Sequence, residues 1–205
     1  MRVERLRGLD VATVHEAAGR VGELDPRIRP IQVGTTIAGT AVTARCHPGD
    51  NLAIHHALLT AEPGAVLVVA AGGHLAGYWG ELLAVAAQHR GIAGLVIDGG
   101  VRDVSALEAH GFPVFSSMIA LRGATKQLAG GVGGHATVGD VVVHEGDWIV
   151  ADADGVTVVP HTKLDDVLAA GRAREAKEAG FFETLRAGKT TIELLGLDTT
   201  PITRD

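Results

Sequence analysis

The sequence contains few residues of the types that mark several common classes of protein. Its 205 residues include one cysteine, two methionines and seven aromatic side chains, whereas glycine occurs 28 times. A single cysteine, Cys46, cannot form an internal disulfide or a cysteine-rich zinc or iron–sulfur site, and we expect it to be a small buried apolar residue. The core must therefore consist of Ala, Val, Leu and Ile, with glycine allowing backbones to approach each other closely.

Clusters of basic residues and long apolar runs are also absent. The formal net charge is −6, and the densest basic stretch, Arg2, Arg5 and Arg7, is interrupted by Glu4, which argues against a nucleic-acid surface. No apolar run reaches the ~18 residues of a membrane span, and the residues after Met1 do not resemble a signal peptide. We therefore expect a cytoplasmic protein that binds neither nucleic acid nor membrane.

The apolar content of 46% and charged content of 20% are typical of a globular domain. Strand-like and helix-like segments alternate between residues 37 and 115, which predicts an α/β fold with parallel strands. Asp50 is expected to cap the first helix of this series. The predicted elements are a strand at 37–44, a helix at 51–61, a strand at 65–70, a helix at 81–90, a strand at 95–98, a helix at 104–110 and a strand at 113–115.

The pattern changes to short strands and turns from residue 136 onward. We interpret this part as a hairpin-rich second layer, so the expected fold class is a mixed α/β/β sandwich. Residues 162–187 are predicted to form a long charged helix, in which positions 164, 171, 178 and 185 share one stripe. The sequence thus predicts a domain at 1–161 and a helical extension at 162–205 that packs on the body or on a neighbouring subunit.

Two glycine-containing loops are the best candidates for a binding site. The first, Gly77–Gly80, directly precedes a predicted helix, so the backbone N–H groups near Leu82 and Leu83 lack intrahelical partners and favour a small anion. The second loop, Gly99–Asp103, follows a predicted strand. Because ligands of open α/β sheets lie beyond the carboxyl ends of strands, both loops are expected to face one pocket.

The side chains of these loops suggest the chemistry of the ligand. Arg102 offers a planar fork for a carboxylate, and Asp103 offers hard oxygen atoms to a cation. Alternatively, Asp103 caps the helix at 104–110, Arg102 forms a surface ion pair, and Glu81 is a favourable first-turn acid. The functional interpretation is a 2-oxo-acid site with a metal, in which none of the four lysines and no histidine has an obvious place.

These motifs resemble the signature of the 4-hydroxy-4-methyl-2-oxoglutarate aldolase family, which also contains the regulator of ribonuclease activity A. The resemblance is carried by Gly80-Glu81-Leu82-Leu83-Ala84 and by Gly91–Asp103. It extends to Pro48-Gly49-Asp50-Asn51 and covers about residues 45–160. It implies a fold of the swivelling β/β/α type.

The resemblance also implies roles for individual residues. The loop from Gly80 through Leu82 and Leu83 would bind the pyruvyl carboxylate, and Arg102 would bind the oxo-acid end of the substrate. Asp103 would ligate a divalent cation, Mg²⁺ or Mn²⁺, and Glu81 would lie near water bound to that ion.

Related enzymes additionally use a glutamate from the C-terminal helix of an adjacent subunit. Glu178 is our candidate for this residue, with Glu175 as the second choice. The alternative is that Glu178 forms an ordinary ion pair with Arg174, four residues earlier on a solvated face.

The activity implied by the resemblance is metal-dependent cleavage of 4-hydroxy-2-oxo acids to pyruvate through an enolate, together with decarboxylation of oxaloacetate. The expected partners are a small 2-oxo-acid substrate and further copies of the chain, in a homotrimer or a dimer of trimers. The alternative is a non-catalytic regulator of ribonuclease activity that binds a protein partner.

Overall fold

A computed structural model describes residues 2–203 of the chain. Within these residues, helices and strands alternate up to a strand that ends at Ile119, five more strands follow without an intervening helix, and a long helix comes after them. The helices are α1 (Arg2–Arg7), α2 (Val11–Ala17), α3 (Leu52–Thr60), α4 (Glu81–His89), α5 (Val104–His110), α6 (Leu164–Arg186) and α7 (Thr191–Leu195), with a single 3₁₀ turn at His161–Lys163. The strands are β1 (Arg29–Pro30), β2 (Ile37–Arg45), β3 (Val66–Ala70), β4 (Gly77–Trp79), β5 (Gly94–Val101), β6 (Val114–Ile119), β7 (Gly131–Val132), β8 (His135–Val138), β9 (Val141–His144), β10 (Trp148–Asp152) and β11 (Gly155–Val159).

The main sheet has the strand order β1-β6-β5-β3-β2-β10-β11. Its central strands β2, β3, β5 and β6 run parallel, whereas β10 pairs antiparallel with both β2 and β11. The residues Val66, Leu67, Val68 and Val69 of β3 are all fully buried, as expected for a strand that is covered on both faces. The short strand β4 pairs with the carboxyl end of β5 and thereby places the start of α4 next to the residues that follow β5.

The sheet curls so strongly that one of its faces encloses a hydrophobic core. Apolar side chains of β3, β5 and β6 meet those of β10 and β11 and of the separate β8–β9 hairpin. The segment 22–30 joins the two ends of the sheet, because its Leu24 N–H donates to the carbonyl of Val156 and its β1 residues pair with β6. The opposite face of the central strands is covered by α3, α4 and α5.

The predicted mixed α/β class is confirmed, with two differences in detail. Strands β10 and β11 were expected in a separate layer, but they extend the main sheet, and its curvature carries them over the other face. Gly99 and Gly100 were expected in a loop, but they continue β5, since Gly100 pairs with Met118 of β6. The missing side chain at Gly100 lets the carbonyl of Ala76 approach its backbone closely.

The C-terminal helix α6 is attached to the body by its first half. Leu164, Val167, Leu168 and Gly171 are buried against the N-terminal helices, and a side chain at Gly171 would overlap Leu9. Farther along, the same stripe continues as half-buried residues. The division of the chain at 161/162 stays a prediction. None of the helices within residues 2–203 combines the length and apolarity that crossing a bilayer requires.

Candidate active site

A small open cleft of about 100 Å³ lies where the predicted loops meet. It lies beside the paired strands β4 and β5. Its walls are the N-terminal ends of α3 and α4 together with the residues that follow β5. Both predicted loops contribute to it, as the sequence predicted. The cleft is lined by Asn51, His55, Gly77, Tyr78, Trp79, Gly80, Leu82, Leu83, Arg102, Asp103, Ala124 and Lys126.

Asp103 joins the two loops directly. Its backbone is left-handed, with φ of 57°, and one carboxylate oxygen, Oδ2, accepts the backbone N–H of Glu81 at 3.1 Å. Asp103 stands at the N-cap position of α5, but its side chain makes no capping hydrogen bond to that helix. The carboxylate therefore belongs to the cleft, next to Arg102, whose Nε lies 3.9 Å from Oδ2.

Three glycines surround the side chain of Arg102. A Cβ atom at Gly77 would lie 3.3 Å from the Arg102 side chain, one at Gly80 3.2 Å from its Cγ, and one at Gly123 2.9 Å from its Nη1. Each distance is shorter than an ordinary van der Waals contact. The absence of side chains at these positions therefore leaves the space that the Arg102 side chain occupies.

The start of α4 supplies backbone donors. The N-cap residue is Gly80, which has no side chain to cap the helix. Among the described residues, no acceptor is bonded to the N–H groups of Leu82 or Leu83, although both residues line the cleft. Free N–H groups at a helix N-terminus, together with the helix dipole, favour a carboxylate.

The side chain of Glu81 points elsewhere in this chain. Its carboxylate lies 3.0 Å from Nε2 of His110, and Glu81 does not line the cleft. Only its backbone N–H contacts Asp103. A catalytic role for the Glu81 carboxylate stays a prediction.

Neither of the two candidate glutamates on α6 lines the cleft of its own chain. Glu178 pairs with Arg174 at 2.7 Å, and Glu175 lies 3.8 Å from Arg172. The ion pair with Arg174 is the alternative that the helical spacing had suggested. A role of Glu178 in the site of an adjacent subunit stays a prediction.

The structure adds a lysine and a histidine to the cleft, where the sequence offered no obvious place for either. Lys126 and His55 both line it. Partial burial, and then the charge of Lys126, lower the pKa of His55, against a smaller opposite effect of Asp50, so the neutral imidazole is favoured. Asn51 belongs to the Pro48-Gly49-Asp50-Asn51 motif. Lys126 has no such local signal, because it reaches the cleft through long-range contacts.

Those long-range contacts converge on Asp50, which is 1% exposed. Its Oδ2 accepts hydrogen bonds from the Thr125 hydroxyl and from the backbone N–H groups of Gln127 and Leu128. Its Oδ1 accepts the N–H of Leu52. Asp50 was expected to be the N-cap of α3, but the N-cap is Asn51. Burial alone would raise the pKa of Asp50, but these donors outweigh it, and the pKa lies well below its ordinary value. Asp50 therefore anchors the segment that carries Lys126.

We predict that Asp50→Asn lowers the free energy of unfolding by about 3 kcal/mol, because the amide can turn its oxygen toward only one side and its NH₂ group then faces at least one existing donor, the N–H of Leu52. The folded-state pKa of Asp50 is lowered, so its stabilisation is complete above the unfolded pKa of ~3.9 and declines as pH falls toward the folded pKa. The difference between wild type and variant should hence be constant from about pH 8 to pH 5 and narrow below about pH 4. Urea titrations across this range measure it.

The matched control is Asp154→Asn, at an exposed acid in the β10–β11 turn. This control should change the free energy of unfolding by less than about 0.5 kcal/mol. An equally small effect of Asp50→Asn would contradict the anchoring role.

Comparison with known proteins reveals relatives that match most of the chain. A protein of Halalkalibacterium halodurans named "Putative 4-hydroxy-4-methyl-2-oxoglutarate aldolase" is 32% identical over 86% of this chain and 84% of its own. A protein of Burkholderia mallei with the same name is 36% identical over 76% of this chain and 96% of its own.

Solved structures agree with the fold. A crystal structure of an uncharacterized protein from Pseudomonas syringae pv. tomato has a TM-score of 0.82 at 28% identity, covering 92% of this chain and 94% of that chain. Streptomyces coelicolor RraAS2, described as an unusual member of the RNase ES inhibitor RraA protein family, has a TM-score of 0.77 at 26% identity, covering 92% and 96%.

The family model described as "RraA-like: Aldolase/RraA" matches residues 11–158. This range contains β1–β10 and most of β11, as well as every residue that lines the cleft. The resemblance inferred from the sequence motifs is thereby confirmed, and the chain belongs to the RraA-like aldolase family.

Proposed function

We propose that the protein is a divalent-metal-dependent lyase that cleaves 4-hydroxy-2-oxo acids of the 4-hydroxy-4-methyl-2-oxoglutarate type to pyruvate, and that it also decarboxylates oxaloacetate. The observation that carries this proposal is one cleft containing the Arg102 guanidinium, the Asp103 carboxylate and the free N–H groups of Leu82 and Leu83. These groups match the charges of a 2-oxo acid and a cation. The names of the relatives support the same reaction.

The donor set fits a hard cation that keeps most of its water. Within residues 2–203, no group of three or more His, Cys, Asp or Glu side chains is placed to hold a metal, so Asp103 is the candidate protein ligand. Its Oδ1 accepts no hydrogen bond from the described residues. Mg²⁺ and Mn²⁺ favour oxygen ligands, and Mg²⁺ is often held by only one or two carboxylates. When bound, such an ion would supply Lewis-acid polarisation of the 2-oxo group.

The residues of the cleft have complementary tasks in the cleavage. The 4-hydroxyl loses its proton, the C3–C4 bond breaks, and its electron pair stays with C3 as the pyruvate enolate, which protonation at C3 converts to pyruvate. The N–H groups of Leu82 and Leu83 hold the carboxylate of the substrate. Arg102 donates hydrogen bonds to the oxo-acid end of the substrate, where negative charge develops. Because the cleft is preorganised, Arg102 stabilises this charge in the transition state.

The proton acceptor is assigned to a carboxylate. Glu81 can take this role after leaving His110, and Glu178 can take it from a second copy of the chain in a trimer or a dimer of trimers. In both cases the carboxylate would act on the 4-hydroxyl directly or through one water molecule. The cytoplasmic location stays part of the same proposal.

The test is an assay that follows pyruvate with a coupled dehydrogenase, using 4-hydroxy-4-methyl-2-oxoglutarate and, separately, oxaloacetate. We expect turnover with Mg²⁺ or Mn²⁺, its loss after EDTA treatment and its recovery when the metal is added back. Reactions with metal and no protein give the background, because oxaloacetate also loses CO₂ without an enzyme. Turnover no higher than that background for both substrates would overturn the proposal.

The alternative function is regulation of a ribonuclease by surface contact, which the fold shared with the RNase ES inhibitor family favours. The two functions are separated by adding the protein to an RNase E-type enzyme and measuring RNA cleavage. Inhibition of that nuclease by a protein without lyase activity would support the alternative.

A further inference from the structure

Two histidines lie directly opposite each other on the β8–β9 hairpin. His135 of β8 is the register partner of His144 of β9, and their ring centroids are 6.0 Å apart, with the ring planes tilted by 49°. Both residues are exposed. Among residues 2–203, neither imidazole forms a hydrogen bond or an ion pair. The ring nitrogens are therefore free to bind a ligand from solvent.

The hydrogen bonds of the hairpin bring the two rings close together on one face. The N–H of Glu145 donates to the carbonyl of Gly134 at 2.7 Å, so these two residues form a hydrogen-bonded pair. Hydrogen-bonded and non-hydrogen-bonded pairs alternate along an antiparallel ladder, which makes His135 and His144 a non-hydrogen-bonded pair. Side chains of such pairs approach each other more closely than those of hydrogen-bonded pairs.

Contacts from outside the hairpin hold the backbone of both histidines in place. The carbonyl of His135 accepts a hydrogen bond from Nη1 of Arg45, and the N–H of His144 donates to Oδ2 of Asp147 at 2.9 Å. Val143, which precedes His144, is fully buried in the core beneath the hairpin. The two rings therefore project from a fixed backbone, and only their side-chain torsions change when a ligand binds.

The separation of the rings fits a single metal ion between them. Zn²⁺ binds imidazole nitrogen at about 2.0–2.1 Å, so two rings on one tetrahedral ion have centroids roughly 5 Å apart. The observed separation of 6.0 Å is longer, and torsions of two exposed side chains change readily enough to close the difference. Imidazole suits Zn²⁺, Cu²⁺ and Ni²⁺, whereas Mg²⁺ and Ca²⁺ favour oxygen ligands.

We propose that His135 and His144 form a binding site for a divalent transition-metal ion of the Zn²⁺, Ni²⁺ or Cu²⁺ type. Neither histidine lines the active-site cleft, so the site is separate from the proposed cation site at Asp103. Within residues 2–203, no third His, Cys, Asp or Glu side chain is placed to complete it, and water fills the remaining positions. The bound ion links β8 to β9 at the end of the hairpin away from its turn and stabilises their pairing.

The experiment is a calorimetric titration of the full chain with Zn²⁺, with Mg²⁺ in large excess to occupy the proposed site at Asp103. We expect His135→Gln and His144→Gln each to weaken Zn²⁺ binding by at least about 10-fold, because each removes one of two ligands. Zn²⁺ at about ten times its dissociation constant should raise the midpoint of thermal unfolding of the wild type by about 4 °C. Neither variant should show this shift at the same Zn²⁺ concentration.

Cu²⁺ provides an independent signature of the pair. Electron paramagnetic resonance should resolve splitting from two bound imidazole nitrogens in the wild type and from one in either variant. His89→Gln is the matched control, because His89 is an exposed histidine at the end of α4, and it should leave the Zn²⁺ affinity and the Cu²⁺ spectrum unchanged.

The result does not depend on the proposed function, since no step of the experiment measures lyase activity. Zn²⁺ binding that neither substitution weakens would overturn the site. An effect in only one of the two variants would also overturn it, because a single histidine would then bind the ion. An equal effect of His89→Gln would show that exposed histidines bind the ion without a paired site.

Discussion

Asp103→Asn is expected to lower kcat/KM for pyruvate formation by about 1,000-fold, the upper range for loss of one electrostatic group in an active site. The variant removes the only carboxylate that lines the described cleft. It loses both the proposed cation ligand and the negative charge beside Arg102. The pyruvate assay with saturating Mg²⁺ measures the effect, and raising the metal concentration should recover little of it.

This substitution separates charge from backbone conformation. Asparagine adopts the left-handed conformation of Asp103 more readily than most residues, and its amide oxygen can still accept the Glu81 N–H. Asp140→Asn is the matched control, because Asp140 is also left-handed, with φ of 64°, but does not line the cleft. Full activity of Asp103→Asn would show that its carboxylate takes no part in the reaction.

Gly80→Ala is expected to lower kcat/KM by about 100-fold while the protein stays folded. The φ of Gly80 is −164°, an extended conformation that alanine also adopts, so the backbone is not strained. The added Cβ would instead overlap Oδ2 of Asp103 and press on Cγ of Arg102. Both side chains are about half exposed and can turn away, and a displacement of about 1 Å can cost about 100-fold in rate.

The measurements for this variant are kcat/KM and the midpoint of thermal unfolding. Gly180→Ala is the control, since no heavy atom lies near that position of α6. It should retain full activity and gain about 0.5–1 kcal/mol in stability, because alanine is the better helix former. Unchanged kcat/KM in Gly80→Ala would contradict the tight packing of Asp103 against the start of α4.

Local patterns of the sequence were sufficient for much of the fold. The apolar run of β3 and the repeated order of strand, loop and helix predicted the parallel core correctly. Capping is equally local: the side chain of Asp10 accepts the N–H of Thr13 at the start of α2. These predictions succeeded because burial and capping depend on residues a few positions apart.

Local sequence patterns predicted only part of the candidate site. Arg102 and Asp103 follow a predicted strand, and Gly80 precedes a predicted helix, so general rules for α/β sheets were sufficient to bring them together. Lys126 was missed because its place depends on hydrogen bonds between Asp50 and a segment 75 or more residues later. The direction of the Glu81 side chain was missed for the same reason, since His110 lies 29 residues away.

The sequence by itself thus determined the α/β class, the two loops and the arginine–aspartate pair, since each depends on short-range periodicity or on a contiguous motif. Only the tertiary structure decided that the sheet curls until β10 and β11 face its central strands. It also decided that Lys126, His55 and Trp79 line the same cleft. Such contacts join residues far apart in the chain. They depend on the twist of the sheet and on the hydrogen bonds that buried carboxylates accept from distant donors.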